Sequence, residues 1–138
     1  MDHFLIVTND GKDIDHSVTA KVRRLLEEKG KTCTLCRKDE KKMIIRESIP
    51  PELDCAIVIG GDGSLIEVAR VLWKRDVPVL GINMGTLGYL TEVEVTHIEE
   101  AVTQITEGRY ELEDTSVTEG KSYWRDITAM GMNKKVVI

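Results

Sequence analysis

Five apolar residues in a row, Cys55 to Ile59, run directly into Gly60, Gly61, Asp62, Gly63 and Ser64. A short apolar run without polar alternation has no solvent side, the condition of a strand covered on both faces in a parallel sheet. Parallel neighbours need crossover connections, usually helices. The glycines then fall at the carboxyl end of the strand, where open α/β sheets bind their ligands. This junction alone points to an α/β fold, a parallel sheet flanked by helices, and to the edge of the sheet where a ligand would sit.

The rest of the chain supplies the partners such a strand requires. Phe4 to Thr8 is a β-rich run ended by Asn9, Asp10 and Gly11, a strand passing into a turn. From Asp15 to Lys29, Val18, Val22, Leu25 and Leu26 recur at helical spacing, and Gly30 stands where the helix would end. Residues 32–35 suggest a second strand. Arg37 to Lys42 is charged, Pro50 and Pro51 forbid a continuous helix, and the region between stays unassigned. After the glycine turn, Leu65, Ile66, Val68, Ala69 and Leu72 predict a helix to Trp73, and Val77 to Ile82 predicts the next buried strand. Thr96 and Glu99 form a capping-box pattern for a helix carrying Ile98, Ala101, Val102 and Ile105 and ending at Gly108. Alternation of this kind predicts right-handed crossovers in one parallel sheet.

Helical periodicity stops at Arg109. Tyr110, Leu112, Tyr123, Trp124, Ile127 and the run Val136 to Ile138 suggest short strands instead. The division expected is an α/β nucleotide-binding domain over residues 1–112 and a β-rich remnant over 113–138, whose apolar last residues imply a missing partner. A chain of 138 residues buries roughly 68% of the surface its unfolded form exposes, enough for one sizeable core.

At the glycine turn, absent Cβ atoms let the backbone bend sharply and bring its N–H groups against an anion. The N-terminus of the next helix adds a favourable partial charge. The plainer reading is a strand-to-helix turn in which Asp62 or Ser64 serves only as an N-cap. GGDG also occurs in diacylglycerol-type lipid kinases and phosphofructokinases. The next segment separates them: residues 81–92 read GINMGTLGYLTE, a second glycine loop after the following strand.

With GGDGSLIEVARVL ahead of that loop, the chain resembles the NAD kinase family, whose signatures are GGDG and a later NxGxLGF-like loop. The match is specific from Cys55 to Glu94 and extends weakly over residues 1–112. The resemblance implies phosphoryl transfer from ATP or polyphosphate to the 2′-hydroxyl of the adenosine ribose of NAD, giving NADP, with Mg²⁺ or a similar divalent cation accompanying the donor. On matching positions, Asp62 would be the general base or hydroxyl-orienting group, and Gly60, Gly61, Gly63 and Ser64 would cradle phosphates. Asn83, Gly85, Gly88 and Tyr89 would line the dinucleotide site. Asn133 would match the Asn of the family's Asn-acid pair, with Lys134 in place of the acid. Ser64 stands where Thr is commoner, and Thr115 to Thr118 lacks a Met-rich stretch. Family members continue into a β-sandwich-like C-terminal domain that completes the NAD site and builds a homo-oligomer; almost all of it is absent here. This leaves three expectations: a kinase dependent on its missing half, a non-catalytic nucleotide-binding or self-associating module, and a lipid kinase of the diacylglycerol-kinase type.

Other classes fall away. A net charge of −5 offers no broad basic field for nucleic acid. Arg70, Lys74 and Arg75 read as a solvated helix face. No apolar run approaches the roughly 20 residues of a membrane span, so the expected place is the cytoplasm. Cys33, Cys36 and Cys55 are expected to be reduced thiols. Cys33 and Cys36 lack the following helix of a redox motif, and an offset of three in a strand puts them on opposite faces. His3, His16 and His97 lack ligand spacing, so no metal site is expected from them. Trp73 and Trp124 read as packing residues. Neither a G-x-x-x-x-G-K-[ST] nor a G-x-G-x-x-G motif is present, which excludes P-loop and Rossmann-fingerprint chemistry.

Overall fold

Along the strand Cys55–Gly60 (β3), alternate residues enter two different cores, and all six are buried. The computed structural model describes residues 1–72, 74–85, 91, 93–114 and 134–138, and every structural statement below concerns these. The other strands are His3–Thr8 (β1), Thr32–Leu35 (β2), Val79–Asn83 (β4), Val93–Glu94 (β5), Glu111–Asp114 (β6) and Lys134–Val137 (β7). The helices are Ser17–Glu28 (α1), Asp62–Val71 (α2) and Ile98–Thr106 (α3). The strand order is β2-β1-β3-β4-β7-β6, with the short β5 also pairing with β4. All pairings are parallel except β6 with β7.

Period-two alternation divides the interior. Phe4, Ile6, Cys55, Ile57, Ile59, Leu80 and Ile82 face Val22 and Leu26 of α1 and Ile98, Val102 and Ile105 of α3. Leu5, Val7, Ala56, Val58 and Val79 face Leu65, Val68 and Ala69 of α2. The sheet is thus covered on both sides, as the unbroken apolar run requires. Cys33 packs on the first core and Cys36 on the second, so the thiols lie on opposite faces of the sheet. All three cysteines are free, and burial pushes the Cys33 thiol up to about 11 and raises those of Cys36 and Cys55.

Several boundaries differ from the sequence pattern, each for a local reason. Helix α1 begins at Ser17 because buried Asp13 accepts the N–H groups of Val18 at 3.2 Å and Thr19 at 2.9 Å, satisfying its first turn. Helix α2 begins at Asp62, three residues before its first buried apolar residue, so the glycine loop is itself the first helical turn. Val77 is buried but β4 starts only after Pro78, which has no N–H to pair. The capping box at Thr96 and Glu99 does not form: Val95–His97 is a 3₁₀ turn, and α3 has His97 at its N-cap with no side-chain cap bond.

The unassigned middle region closes with a bridge between Lys38 and Ile44 and a 3₁₀ turn at Arg46–Ser48. Arg75 departs from the solvated face expected of it, since its guanidinium donates to the carbonyls of Pro50 and Pro51 and ties this region down. Trp73, Thr115 to Thr118, Tyr123, Trp124 and Ile127 lie outside the described residues. Among the described residues no helix is long and apolar enough to cross a membrane.

Candidate active site

β1 has β2 on one side and β3 on the other, and the helices that follow β1 and β3 cover opposite faces of the sheet. The carboxyl ends of these two strands thus mark the point where strand order reverses, the place where open α/β sheets bind ligands. Asn9 ties these two strand ends together. Its N–H donates to the Ile59 carbonyl at 2.8 Å, and its carbonyl accepts the N–H groups of Lys12 and Asp13 at 3.0 and 2.9 Å. The side chain works as well: Oδ1 accepts from the Gly11 N–H at 2.9 Å, and Nδ2 lies 3.4 Å from Ser64 Oγ. One asparagine therefore fixes the β1 turn against the glycine loop.

Gly60 is required by this closeness. A Cβ there would meet Ser64 Oγ at 2.8 Å, Ser64 Cβ at 3.1 Å and Asn9 Cβ at 3.2 Å. At Gly61 the nearest atom to such a Cβ would be Lys12 Nζ, at 3.0 Å. An ammonium group thus stands directly over the glycine backbone, ahead of the N-terminus of α2.

Asp62 is half-buried in the first turn of α2. Its Oδ1 accepts the Thr91 N–H at 3.2 Å and lies 3.5 Å from Thr91 Oγ1. Thr91 follows the second glycine loop, so the carboxylate joins the end of one loop to the start of the helix after the other. A carboxylate at a helix N-terminus is also favoured by the helix dipole. Thr91 can reach Asp62 because it crosses β4 at Gly81, where a Cβ would lie 2.8 Å from Thr91 Cγ2 and 2.9 Å from Thr91 Cα.

Asn83 ends β4 in register with Gly60, and the Met84 N–H donates to the Gly60 carbonyl at 2.9 Å. Its side chain is buried, and among the described residues Oδ1 has no hydrogen-bond partner. Such an atom is costly to leave unsatisfied unless something else supplies a donor. Asn83 and Gly85 line a shallow cavity of about 240 Å³ with Glu94, Val95 and Thr96. A second hollow, about 180 Å³, lies at the ends of β1 and β2 and is lined in part by Thr8, Asp10, His16 and Lys38.

Over residues 8–110 the sequence matches the family described as ATP-NAD kinase N-terminal domain. The chain belongs to the NAD kinase family. It is 34% identical to the NAD kinase of Lachnospira eligens over 99% of its own length and 50% of that protein, and 31% identical to the NAD kinase of Agathobacter rectalis over the same shares. The NAD kinase of Pseudomonas putida is 49% identical over 44% of the chain and 21% of that protein. The chain spans about half the length of the curated relatives that it matches along nearly its whole length. In fold it is similar to the crystal structure of yeast NADH kinase complexed with NADH, with a TM-score of 0.68 over 83% of this chain and 40% of that one, at 13% identity.

Of the residues singled out in the sequence, Gly60, Gly61, Asp62, Gly63 and Ser64 form one turn, Asn83 adjoins it in register with Gly60, and Gly85 lies beside Asn83 in the cavity that they share. Gly88, Tyr89 and Asn133 lie outside the described residues. Lys135, two positions after Asn133, pairs with Val79 at the amino end of β4, away from the glycine turn. Sequence reasoning did not single out Asn9, Lys12 or Thr91. Asn9 and Thr91 were within reach of it, one being the first residue after a predicted strand and the other lying inside the second loop motif. Lys12 carried no signal beyond its charge.

Proposed function

We propose that this domain carries the phosphoryl-transfer half of an NAD kinase, moving the terminal phosphoryl group of ATP or polyphosphate to the 2′-hydroxyl of NAD. The observation that carries this reading is the Asp62 carboxylate, half-buried at the start of α2 and aligned by the Thr91 N–H among residues without side chains. In the step proposed, the ribose oxygen attacks the terminal phosphorus and the bond to the departing phosphate oxygen breaks. The hydroxyl proton passes to the Asp62 carboxylate. Little covalent work falls to the protein, and positioning with charge neutralisation does most of it.

Gly60, Gly61, Gly63 and Ser64 would hold the donor phosphates with backbone N–H groups and one hydroxyl. Asn83 and Gly85, with Gly88, Tyr89 and Asn133, would serve the dinucleotide. The buried Asn83 Oδ1 supports this, since a hydroxyl or amino group of the substrate would satisfy it. A divalent cation fits only as a companion of the donor: the described residues hold no group of three metal-ligating side chains, and the turn offers one carboxylate. When bound, such an ion neutralises phosphate charge; its ligands would be mostly donor oxygens and water. Residues 1–112 would form the catalytic domain and 113–138 the start of a β-rich one. The whole would act as a homo-oligomer in the cytoplasm.

The test is NADP formation from NAD, ATP and Mg²⁺. Asp62→Asn keeps an oxygen for the Thr91 N–H but removes the basic carboxylate, so turnover is expected to fall by about 10²- to 10⁴-fold with melting unchanged. Unaltered turnover would remove Asp62 from the mechanism. The buried Asn83 Oδ1, a binding feature that takes no part in the chemistry, suits one second reading, a module that binds nucleotide without turning it over; calorimetric binding of NAD and ATP without NADP formation is its signature.

A further inference from the structure

We infer that Lys12 is a donor-binding residue, its ammonium meeting the polyphosphate oxygens that the Gly60–Ser64 turn receives. The inference rests on the phosphoryl-transfer reading above and adds a cation that the two glycine motifs do not contain. Backbone N–H groups and a helix terminus supply only partial charges. A triphosphate or polyphosphate also needs a full positive charge nearby, and Asp62 makes that need greater by repelling it.

Three observations place Lys12 there. Its Nζ lies 3.0 Å from where a Gly61 Cβ would be, so the ammonium occupies the space beside the turn that the missing side chain leaves. Its backbone is fixed rather than left to the loop: the Lys12 N–H donates to the Asn9 carbonyl at 3.0 Å, and Asn9 is bound to Ile59 and reaches Ser64. Its charge is also not consumed locally. Asp10 pairs with His16 at 3.1 Å, Asp13 is engaged by the amides and hydroxyl at the start of α1, and among the described residues Lys12 enters no ion pair. Lys12 is exposed, so nothing in the core depends on it. A flexible point charge of this kind suits a phosphate group that changes position during transfer.

The experiment titrates inorganic tripolyphosphate and, separately, NAD into the full 138-residue chain and its variants by calorimetry. Loss of one charge-assisted contact in Lys12→Ala is expected to weaken tripolyphosphate binding by about tenfold to a hundredfold. Lys12→Arg should retain most of the affinity, and NAD binding and melting should stay as in the unaltered chain. Equal tripolyphosphate affinity in Lys12→Ala overturns the assignment, as does an equal loss of NAD affinity. Absence of tripolyphosphate binding by the unaltered chain also overturns it, while retained NAD binding would leave the kinase reading standing. Tripolyphosphate binding that depends on Lys12 without any NAD binding would uphold the assignment and count against the kinase reading.

Discussion

At the amino end of the sheet, Asp54 accepts the N–H groups of Asp2 and His3, Lys31 pairs with Asp2 at 3.2 Å, and Arg75 binds the carbonyls of Pro50 and Pro51. At the carboxyl end of the same strands, Asn83 Oδ1 is buried without a partner among the described residues, Lys12 enters no ion pair among them, and a Cβ at Gly63 or Gly85 would meet no atom within 4 Å. The first end spends these polar groups on itself, and the second keeps some of its own available beside the bonded Asn9 and Asp62. Stability and ligand chemistry are therefore expected to separate along the strand axis, as in other open α/β sheets. The sharpest test is to alter each end and ask which property moves.

The largest effect belongs to the carboxyl end, where Asp62→Asn should remove most turnover and leave the melting temperature in place. Gly81→Ala comes next and should break the separation, because Gly81 links strand packing to the site. The nearest atoms to a new Cβ include Thr91 Cα, which is backbone and cannot swing aside as a side-chain tip can. Overpacking of this kind costs about 1–3 kcal/mol, which lowers the melting temperature by a few degrees per kcal/mol. Moving Thr91 also loosens its bond to Asp62, so activity should fall with stability. A Gly81→Ala chain that melts normally would show that Thr91 yields freely and that Asp62 is not held as described.

The contrast between the ends also explains what could be read from the sequence. The core was legible because Cys55 to Ile59 has no polar face and the helices repeat at their own period, so burial follows from pattern alone. The glycine turn was legible because only Gly tolerates such approaches as the 2.8 Å from a Gly60 Cβ to Ser64 Oγ. The parts that escaped depend on contacts between residues far apart in the chain. Lys12 meets Gly61 only because β1 and β3 are neighbours, and Thr91 meets Asp62 only because Thr91 lies against Gly81 of β4. The Thr96–Glu99 box fits the local rule, yet a 3₁₀ turn occupies its place. Arg75 looked like any solvated helix cation until the 50–51 segment folded back onto it.

Arg75→Ala tests the closed end. It removes the donor for two carbonyls in a partly exposed setting, so a loss of about 1 kcal/mol is expected, seen as a lower melting temperature. NAD and tripolyphosphate affinities should not change. A drop in either at constant stability would mean that the two ends are coupled through α2, which runs between them.

Asp54→Asn should give the smallest effect, and its pH dependence identifies its cause. The Asp2 N–H first, and then that of His3, hold the Asp54 carboxyl below the usual aspartate range. A carboxyl whose folded pKa is depressed stabilises the fold above its unfolded value of about 3.9 and loses that contribution as pH falls through the folded value. Asparagine keeps an acceptor oxygen but no charge. The variant should therefore melt slightly below the unaltered chain at neutral pH, and the gap should close once the medium is more acidic than the ordinary aspartate range. The Ser17 N–H also lowers the pKa of Asp15, but that group is present in both chains, so the difference between them isolates Asp54. A gap that persists unchanged into acid would mean that the carboxylate charge contributes nothing there, leaving amide geometry alone to close the amino end of the sheet.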